Sequence, residues 1–304
     1  MVRILPVGTQ INNTIMFFSL SGPMRYLLLS TLLLTSSFFA KAQNLHLTAF
    51  AGSSNYQGDL QGSRFTLNQA KAAVAVGVLY ELSNKFFIRA GFTLAKVGAD
   101  DKKSPLNATR NLSFTSPISE FHLGLEYDLI NNYEHSFTPF IFAGIGTFGF
   151  NPSAIDKQGN KVNLQPLGTE GQGFYLGREK YSLRGIAIPF GGGVKLALSD
   201  DIHLRFETGL RILSTDYLDD VSTTLADGNL LLANNGQKAV DMAFRGDELK
   251  PALTYPGAGA KRGNPKVKDY YYFTGLGISF RLSPKYDRGY GDGRSQLGCP
   301  KSVF

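Results

Sequence analysis

From residue 45 onward the chain repeats one motif of organisation: segments of 8–15 residues in which apolar and polar positions alternate, separated by polar or glycine-containing connections. A period of two is the signature of β-strands with unlike faces. Eight such segments are predicted, at 45–52, 71–82, 86–96, 116–129, 136–148, 184–198, 202–213 and 269–282. Three connections are short: Ser83-Asn84-Lys85, residues 130–135, and Ser199-Asp200-Asp201. The other four, at 53–70, 97–115, 149–183 and 214–268, are long, and short and long strictly alternate. A soluble sandwich has no reason for this alternation, whereas an outer-membrane barrel keeps tight turns on its periplasmic side and long loops outside. The expected fold is all-β: an eight-stranded antiparallel up-and-down transmembrane β-barrel over residues 43–282, with four long extracellular loops and both termini in the periplasm. The competing architecture is a soluble antiparallel sheet with one solvated face.

Parity assigns the faces. In the seventh segment Ile202, Leu204, Phe206, Leu210 and Ile212 oppose His203, Arg205, Glu207, Gly209 and Arg211. In the fourth, Phe121, Leu123, Leu125, Tyr127 and Leu129 oppose His122, Gly124, Glu126 and Asp128. The fifth has Phe140, Phe142 and Phe148 but also Ile141 and Ile145, so its parity stays open. If the apolar face meets lipid, then Glu81, Arg89, Glu126, Lys195, Arg205, Glu207 and Arg211 point inward. Eight strands enclose only enough room for side chains, and unpaired charges in a dry lumen are costly. These residues are therefore expected to pair and fill the barrel, making a plugged post rather than a pore. Trp is absent, so an interfacial aromatic girdle is expected from Tyr80, Phe87, Tyr127, Tyr133, Tyr270 and Tyr272, near the strand ends.

Composition changes the picture mainly at the N-terminus. Lys and Arg number 31 against 24 Asp and Glu, a net +7 that by itself suggests nucleic acid. Residues 24–42, however, have the order of a secretory signal: Arg25, an apolar run from Leu27 to Phe39, and the small-x-small site Ala40-Lys41-Ala42. The run is shorter than the ~20 residues of a membrane-spanning helix. Residues 1–23 are expected to be an upstream extension, with the better start at Met24. Removing Arg3, Arg25 and Lys41 leaves 28 basic residues against 24 acidic, net +4, and a nucleic-acid partner is not expected.

Candidate chemistry is sparse. His46, His122, His135 and His203 fall at strand starts, mid-strand or in a turn, and none falls at the outer rim where a lipid-modifying hydrolase would hold its catalytic pair. Asp216, Asp219 and Asp220 cluster just after the seventh strand. Their spacing is not that of an EF-hand; a turn or helix start is their ordinary use and Ca²⁺ the alternative. The Gly191-Gly192-Gly193 run lies inside a strand and serves curvature or close packing rather than phosphate binding. Residues 283–304 form a polar tail with Lys285, Arg288, Arg294, Lys301 and the single Cys299. No cofactor, metal or small-molecule substrate is expected.

Several segments together carry a resemblance: Gly52-Ser53-Ser54-Asn55-Tyr56-Gln57-Gly58-Asp59-Leu60, Leu164-Gln165-Pro166-Leu167-Gly168-Thr169-Glu170-Gly171-Gln172-Gly173, Ile188-Pro189-Phe190-Gly191-Gly192-Gly193-Val194-Lys195, Thr215-Asp216-Tyr217-Leu218-Asp219-Asp220-Val221-Ser222, and Gly263-Asn264-Pro265 leading to Asp269-Tyr270-Tyr271-Tyr272-Phe273. In this order they resemble the PorG-like outer-membrane barrels of Bacteroidota, a subunit family of the type IX (Por) secretion system, and the tail ending Cys299-Pro300-Lys301 is similar too. The resemblance implies a non-enzymatic barrel set in outer-membrane lipid and associated with a periplasmic ring lipoprotein and its partner ring protein. That ring surrounds machinery exporting adhesins, proteases and gliding proteins. Lys285, Arg288, Arg294 and Lys301 are then the candidates for binding the ring. The alternatives are a general structural or adhesive barrel and a lipid-modifying barrel enzyme.

Overall fold

A computed structural model describes residues 44–61, 66, 68–103, 109–131, 133–266 and 268–282. The signal segment, the upstream extension, and the tail with Lys285, Arg288, Arg294, Cys299 and Lys301 lie outside these residues. Eight long strands form the wall: β1 (Leu45–Gln57), β2 (Lys71–Glu81), β3 (Phe86–Asp100), β4 (Ser113–Asp128), β5 (Phe137–Phe150), β8 (Arg184–Ala197), β9 (Ile202–Leu213) and β10 (Tyr270–Arg281). Each pairs antiparallel with its sequence neighbour, and β1 pairs with β10, from His46 opposite Arg281 to Gln57 opposite Tyr270. The circuit is closed, so among the described residues none of the eight wall strands is left as an open edge, the condition for a sheet in lipid.

The eight predicted strands all form, and they differ from expectation chiefly at one end. β1 runs on through Ser53 to Gln57, β3 through Val97 to Asp100, and β4 begins at Ser113. These extensions carry the barrel wall beyond the alternating apolar band, where polar residues replace outward Leu, Val and Phe. The three short turns lie together at the opposite end. Two are closed by paired main-chain bonds, Leu82 N–H to Phe86 O at 2.8 Å and Leu198 N–H to Ile202 O at 2.9 Å.

The long loops are not structureless. Loop 3 (151–183) carries the hairpin β6 (Ser153–Ile155) and β7 (Lys161–Asn163), which extends the sheet from β4 by pairing Ser153 with Thr115. Loop 4 (214–269) holds two short helices, α1 (Gly228–Asn235) and α2 (Gln237–Ala243), so the chain is not purely β. Asp227 caps α1 by accepting from the Asn229 and Leu230 amides, and Gly236 supplies the positive φ of 80° between the helices. A small apolar cluster of Leu225, Ala226, Leu231, Ala239 and Ala243 packs beneath them.

The outer surface of the wall is apolar on every strand. Leu47, Val76, Leu94, Leu123, Ile141, Ile188, Phe206 and Ile278 are all exposed, each representing one strand of the circuit. A continuous belt of this kind greatly exceeds the apolar patches of soluble proteins. Lipid is the solvent that such a belt requires. Parity in β5 is now decided: Thr138, Phe140, Phe142, Phe148 and Phe150 are buried, while Phe137, Ile141 and Ile145 face out.

Candidate functional site

The lumen is built in three tiers. At the turn end, Arg281 lies 3.1 Å from Glu81, which also lies 3.5 Å from His46 Nε2. Tyr133, from the turn between β4 and β5, folds in to hydrogen-bond both Glu81 and Arg281. Above this tier Glu126 is the hub. Arg205 donates to both its oxygens, at 3.0 and 2.7 Å. Lys195 approaches it at 2.8 Å and Asp128 at 2.6 Å. Arg89 bridges Glu126 at 3.2 Å and Glu207 at 2.9 Å. In the third tier Arg211 lies 3.3 Å from Glu120, which accepts the Tyr271 hydroxyl at 2.6 Å.

All seven residues predicted to face inward do so. Arg89, Glu126, Lys195, Arg205 and Glu207 form one cluster, whereas Glu81 and Arg211 belong to separate ones. Among the described residues the lumen adds Glu120, Asp128 and Arg281, giving five carboxylates (Glu81, Glu120, Glu126, Asp128, Glu207) and five cations (Arg89, Lys195, Arg205, Arg211, Arg281). The network is therefore electroneutral, which a buried ion cluster needs. Parity alone could have supplied Glu120, which shares a face with His122 and Glu126.

Aromatic rings complete the filling. Arg89 lies 4.0 Å above the Phe142 ring, Lys195 4.3 Å from Phe87, Arg205 4.4 Å from Phe140, and Arg211 4.3 Å from Phe273. Each contact is worth roughly 0.5–2 kcal/mol. Phe87 and Tyr133 are thus lumen residues, not the girdle residues expected from their places near strand ends; the cations draw their rings inward. Tyr272 is also buried. Inward glycines make the packing fit: a Cβ on Gly209 would lie 2.6 Å from Phe142 Cζ, while one on Gly193 would meet first the Phe206 carbonyl oxygen of the adjoining strand and then Phe140 Cζ at 2.9 Å. Close packing, not phosphate binding, is what the glycine-rich wall supplies. A cavity of about 40 Å³ beside Arg89, His122 and Glu207 has room for water only.

Toward the loop end the lumen becomes apolar. Val97, Phe114, Ile118, Phe148, Phe150 and Leu213 from the wall meet Leu60, Leu112, Leu164, Leu218, Val221 and Met242 from all four loops in one buried cluster. Over it lies a polar cap that joins residues of the segments 52–60, 164–173 and 215–222 to Asp101, Arg110, Tyr181, Thr223 and Arg262. Glu170 accepts from the Ser222 and Thr223 amides at 3.0 Å each and pairs with Arg262 at 3.1 Å. Asp220, at φ 69°, accepts from Thr169 at 2.6 Å and Tyr181 at 2.7 Å. Arg110 of loop 2 grips Asp101 at 2.8 and 2.9 Å and also donates to the Asp59 and Arg262 carbonyls.

Asp216, Asp219 and Asp220 are spent on this cap. Asp219 closes a turn by accepting the Val221 amide at 2.8 Å, and Asp216 accepts from Ser222 at 2.7 Å. Burial above all, joined by the neighbouring charges of Asp59 and Glu170, pushes Asp216 up to about 7 against the lowering hydrogen bonds from Ser222 and the Asp269 main chain. Among the described residues no group of three or more His, Cys, Asp and Glu is placed to hold a metal ion. His46, His122 and His203 are buried in the lumen and His135 is exposed in a turn, so none of the four lies at the loop end.

A closed antiparallel circuit with an apolar outside and a filled, ion-paired inside defines a membrane-spanning β-barrel of the outer-membrane type. Residues 25–170 match the family model described as "Domain of unknown function (DUF6089)". No curated protein matches the chain in sequence. Among solved structures the chain is similar to Neisserial surface protein A (NspA), at 8% identity and TM-score 0.40, covering 79% of this chain and 97% of that one. It is also similar to Ail, the attachment invasion locus protein of Yersinia pestis, at 9% identity and TM-score 0.35, covering 78% and 97%. A third is the outer membrane protein OprG from Pseudomonas aeruginosa, at 9% identity and TM-score 0.35, covering 79% and 97%. The eight-stranded architecture itself rests on the register of this chain's own strands.

Proposed function

We propose that this chain is a non-enzymatic barrel of the bacterial outer membrane that anchors the periplasmic ring of a type IX secretion system. The observation that carries this reading is the filled lumen. Arg205, Lys195 and Arg89 converge on Glu126 with rings packed against them, so among the described residues the barrel interior is filled at this level, which favours a role of holding position over one of transport. The resemblance to PorG-like barrels supports the same role, because its segments at 52–60, 164–173, 215–222 and 269–273 meet in the barrel mouth and the cap above it. In this reading the short turns and the basic tail face the periplasm. The turns and Lys285, Arg288, Arg294 and Lys301 then contact the ring lipoprotein and its partner, while the capped loops face outward.

Crosslinking in intact cells tests this directly. A photoreactive residue placed at Asn84 or Asp200, in the short turns, is expected to capture a periplasmic ring lipoprotein; capture of no periplasmic protein from either position would sink the reading. A second reading, an adhesive surface barrel, is favoured by the exposed Leu176 of loop 3 and Leu230 and Leu232 of loop 4. It predicts that shortening loop 4 abolishes surface binding while secretion stays normal.

A further inference from the structure

The mouth of the barrel holds two buried carboxylates around a single hydroxyl. Tyr56 Oη, at the loop end of β1, lies 2.5 Å from Asp219 Oδ2 and 2.9 Å from Asp269 Oδ1. The remaining oxygens are pinned to the main chain of loop 4: Asp219 Oδ1 accepts the Val221 amide at 2.8 Å, and Asp269 Oδ2 the Leu218 amide at 2.9 Å. Both aspartates are 1% exposed. They stand at the two ends of loop 4, one just after β9 and the other just before β10, and both close onto β1 through the same tyrosine.

A phenol has one proton. If Tyr56 donates it to one carboxylate, its oxygen can only accept from the other, and a carboxylate can donate only when protonated. The charges around the pair require the same. Among the described residues, neither aspartate has a cation within ion-pair distance. Arg110 of loop 2 is held by Asp101, and Arg262 by Glu170 and Asp220. Arg110 and Arg262 act on Asp219 only from beyond ion-pair distance, and the remaining groups facing the pair, Asp59 of loop 1 and Asp216 of loop 4, are acidic. Two bare carboxylates here would be buried like charges with no direct ion-pair partner, an arrangement that burial disfavours. Gly58 keeps the site tight, since a Cβ there would collide with Asp269 Oδ1 and the Tyr56 hydroxyl.

We infer that Asp219 and Asp269 share one proton in the folded protein, and that loss of this proton to solvent unlatches loop 4 from β1. The latch is a hydrogen-bonded chain, carboxylic acid to phenol to carboxylate, in which the acid donates to Tyr56 and Tyr56 donates onward. Burial, and for Asp269 the adjacent charge of Asp219, hold both carboxyls well above the usual carboxylate range. The sign follows from linkage. A carboxyl raised in the fold contributes stability at low pH and loses it as pH rises through its folded value, so the latch is closed in acid and opens in base.

The test uses the full-length barrel refolded in detergent. At about pH 8, above the range in which Asp216 is protonated, the infrared difference between wild type and Asp269→Asn is expected to show one protonated-carboxyl C=O band lost in the variant. Hydrogen exchange of the Leu218 amide, corrected for intrinsic base catalysis, is expected to accelerate by up to about tenfold per pH unit as the latch titrates in wild type, and to stay level in Asp269→Asn. Asp219→Asn serves equally if Asp269→Asn does not fold, because either removes the shared proton. Absence of the carboxyl band, or a variant that opens with pH like wild type, overturns the inference. So does opening on addition of a chelator at constant pH, which would mean that a metal ion rather than a proton joins the two carboxylates.

Discussion

Arg205 and Glu126 meet across the lumen with the guanidinium donating to both carboxylate oxygens, at 3.0 and 2.7 Å, although 79 residues separate them in the chain. The pair couples β9 to β4, strands that are not neighbours in the sheet, and so braces the barrel from within. Glu126→Gln leaves Arg89, Arg205 and Lys195 short of one buried partner and is expected to cost about 3–5 kcal/mol. Arg205→Met is expected to cost a similar amount, and the double variant less than the sum of the two, with coupling of at least about 1 kcal/mol. Urea unfolding in lipid vesicles, followed by the mobility shift of folded barrel on gels, measures all three. Simple additivity would show that the pair does not act as a brace.

The fit between inward glycines and inward rings gives a second expectation. At Gly209 the nearest atoms to an added Cβ belong to the side chains of Phe142 and Arg211. Gly209→Ala should therefore destabilise the barrel by about 1–3 kcal/mol through overpacking, and adding Phe142→Leu should recover much of the loss. Failure of Phe142→Leu to rescue would place the strain in the backbone rather than in the ring. The same unfolding assay decides between them.

Much of this architecture is legible in the sequence because lipid on one side and a narrow lumen on the other impose strict parity. Ile202, Leu204 and Phe206 against His203, Arg205 and Glu207 is a pattern with only one consistent reading once the loops alternate in length. The fifth strand escaped because its lumen positions are Phe140, Phe142 and Phe148. These are apolar by type, and they are placed inside by the cations above them, which no local pattern reveals. Phe87 and Tyr133 lie inside rather than in a girdle for the same reason, against Lys195 and Arg281 respectively. The cap was visible only as motifs: Asp59, Glu170, Asp220 and Arg262 are spread over more than two hundred residues, and their pairing is a tertiary fact.

The cap should respond to pH below neutrality as well, through Asp216. Its carboxyl is raised to about 7, so the protonated form is favoured in the fold. The stability it contributes is complete below about pH 4, the unfolded value, and is lost as pH rises through about 7. Tyr181 and Tyr217, stacked 4.7 Å apart at an interplanar angle of 6°, give a near-ultraviolet signal for the cap. The melting temperature read from that signal is expected to fall between about pH 4 and about pH 7 in wild type, and to fall less steeply over that window in Asp216→Asn, where only the proton shared by Asp219 and Asp269 still contributes. A variant with the wild-type slope would assign the titration to another group.

The filled lumen is the claim on which the anchoring role depends, and electrical recording tests it most directly. Folded wild-type protein inserted into a planar lipid bilayer is expected to produce no stepwise conductance, because Glu126, its three cations and the packed rings fill the barrel at that level around a water-sized cavity. Reproducible conductance steps from protein shown to be folded would contradict the account, and would make the barrel a pore.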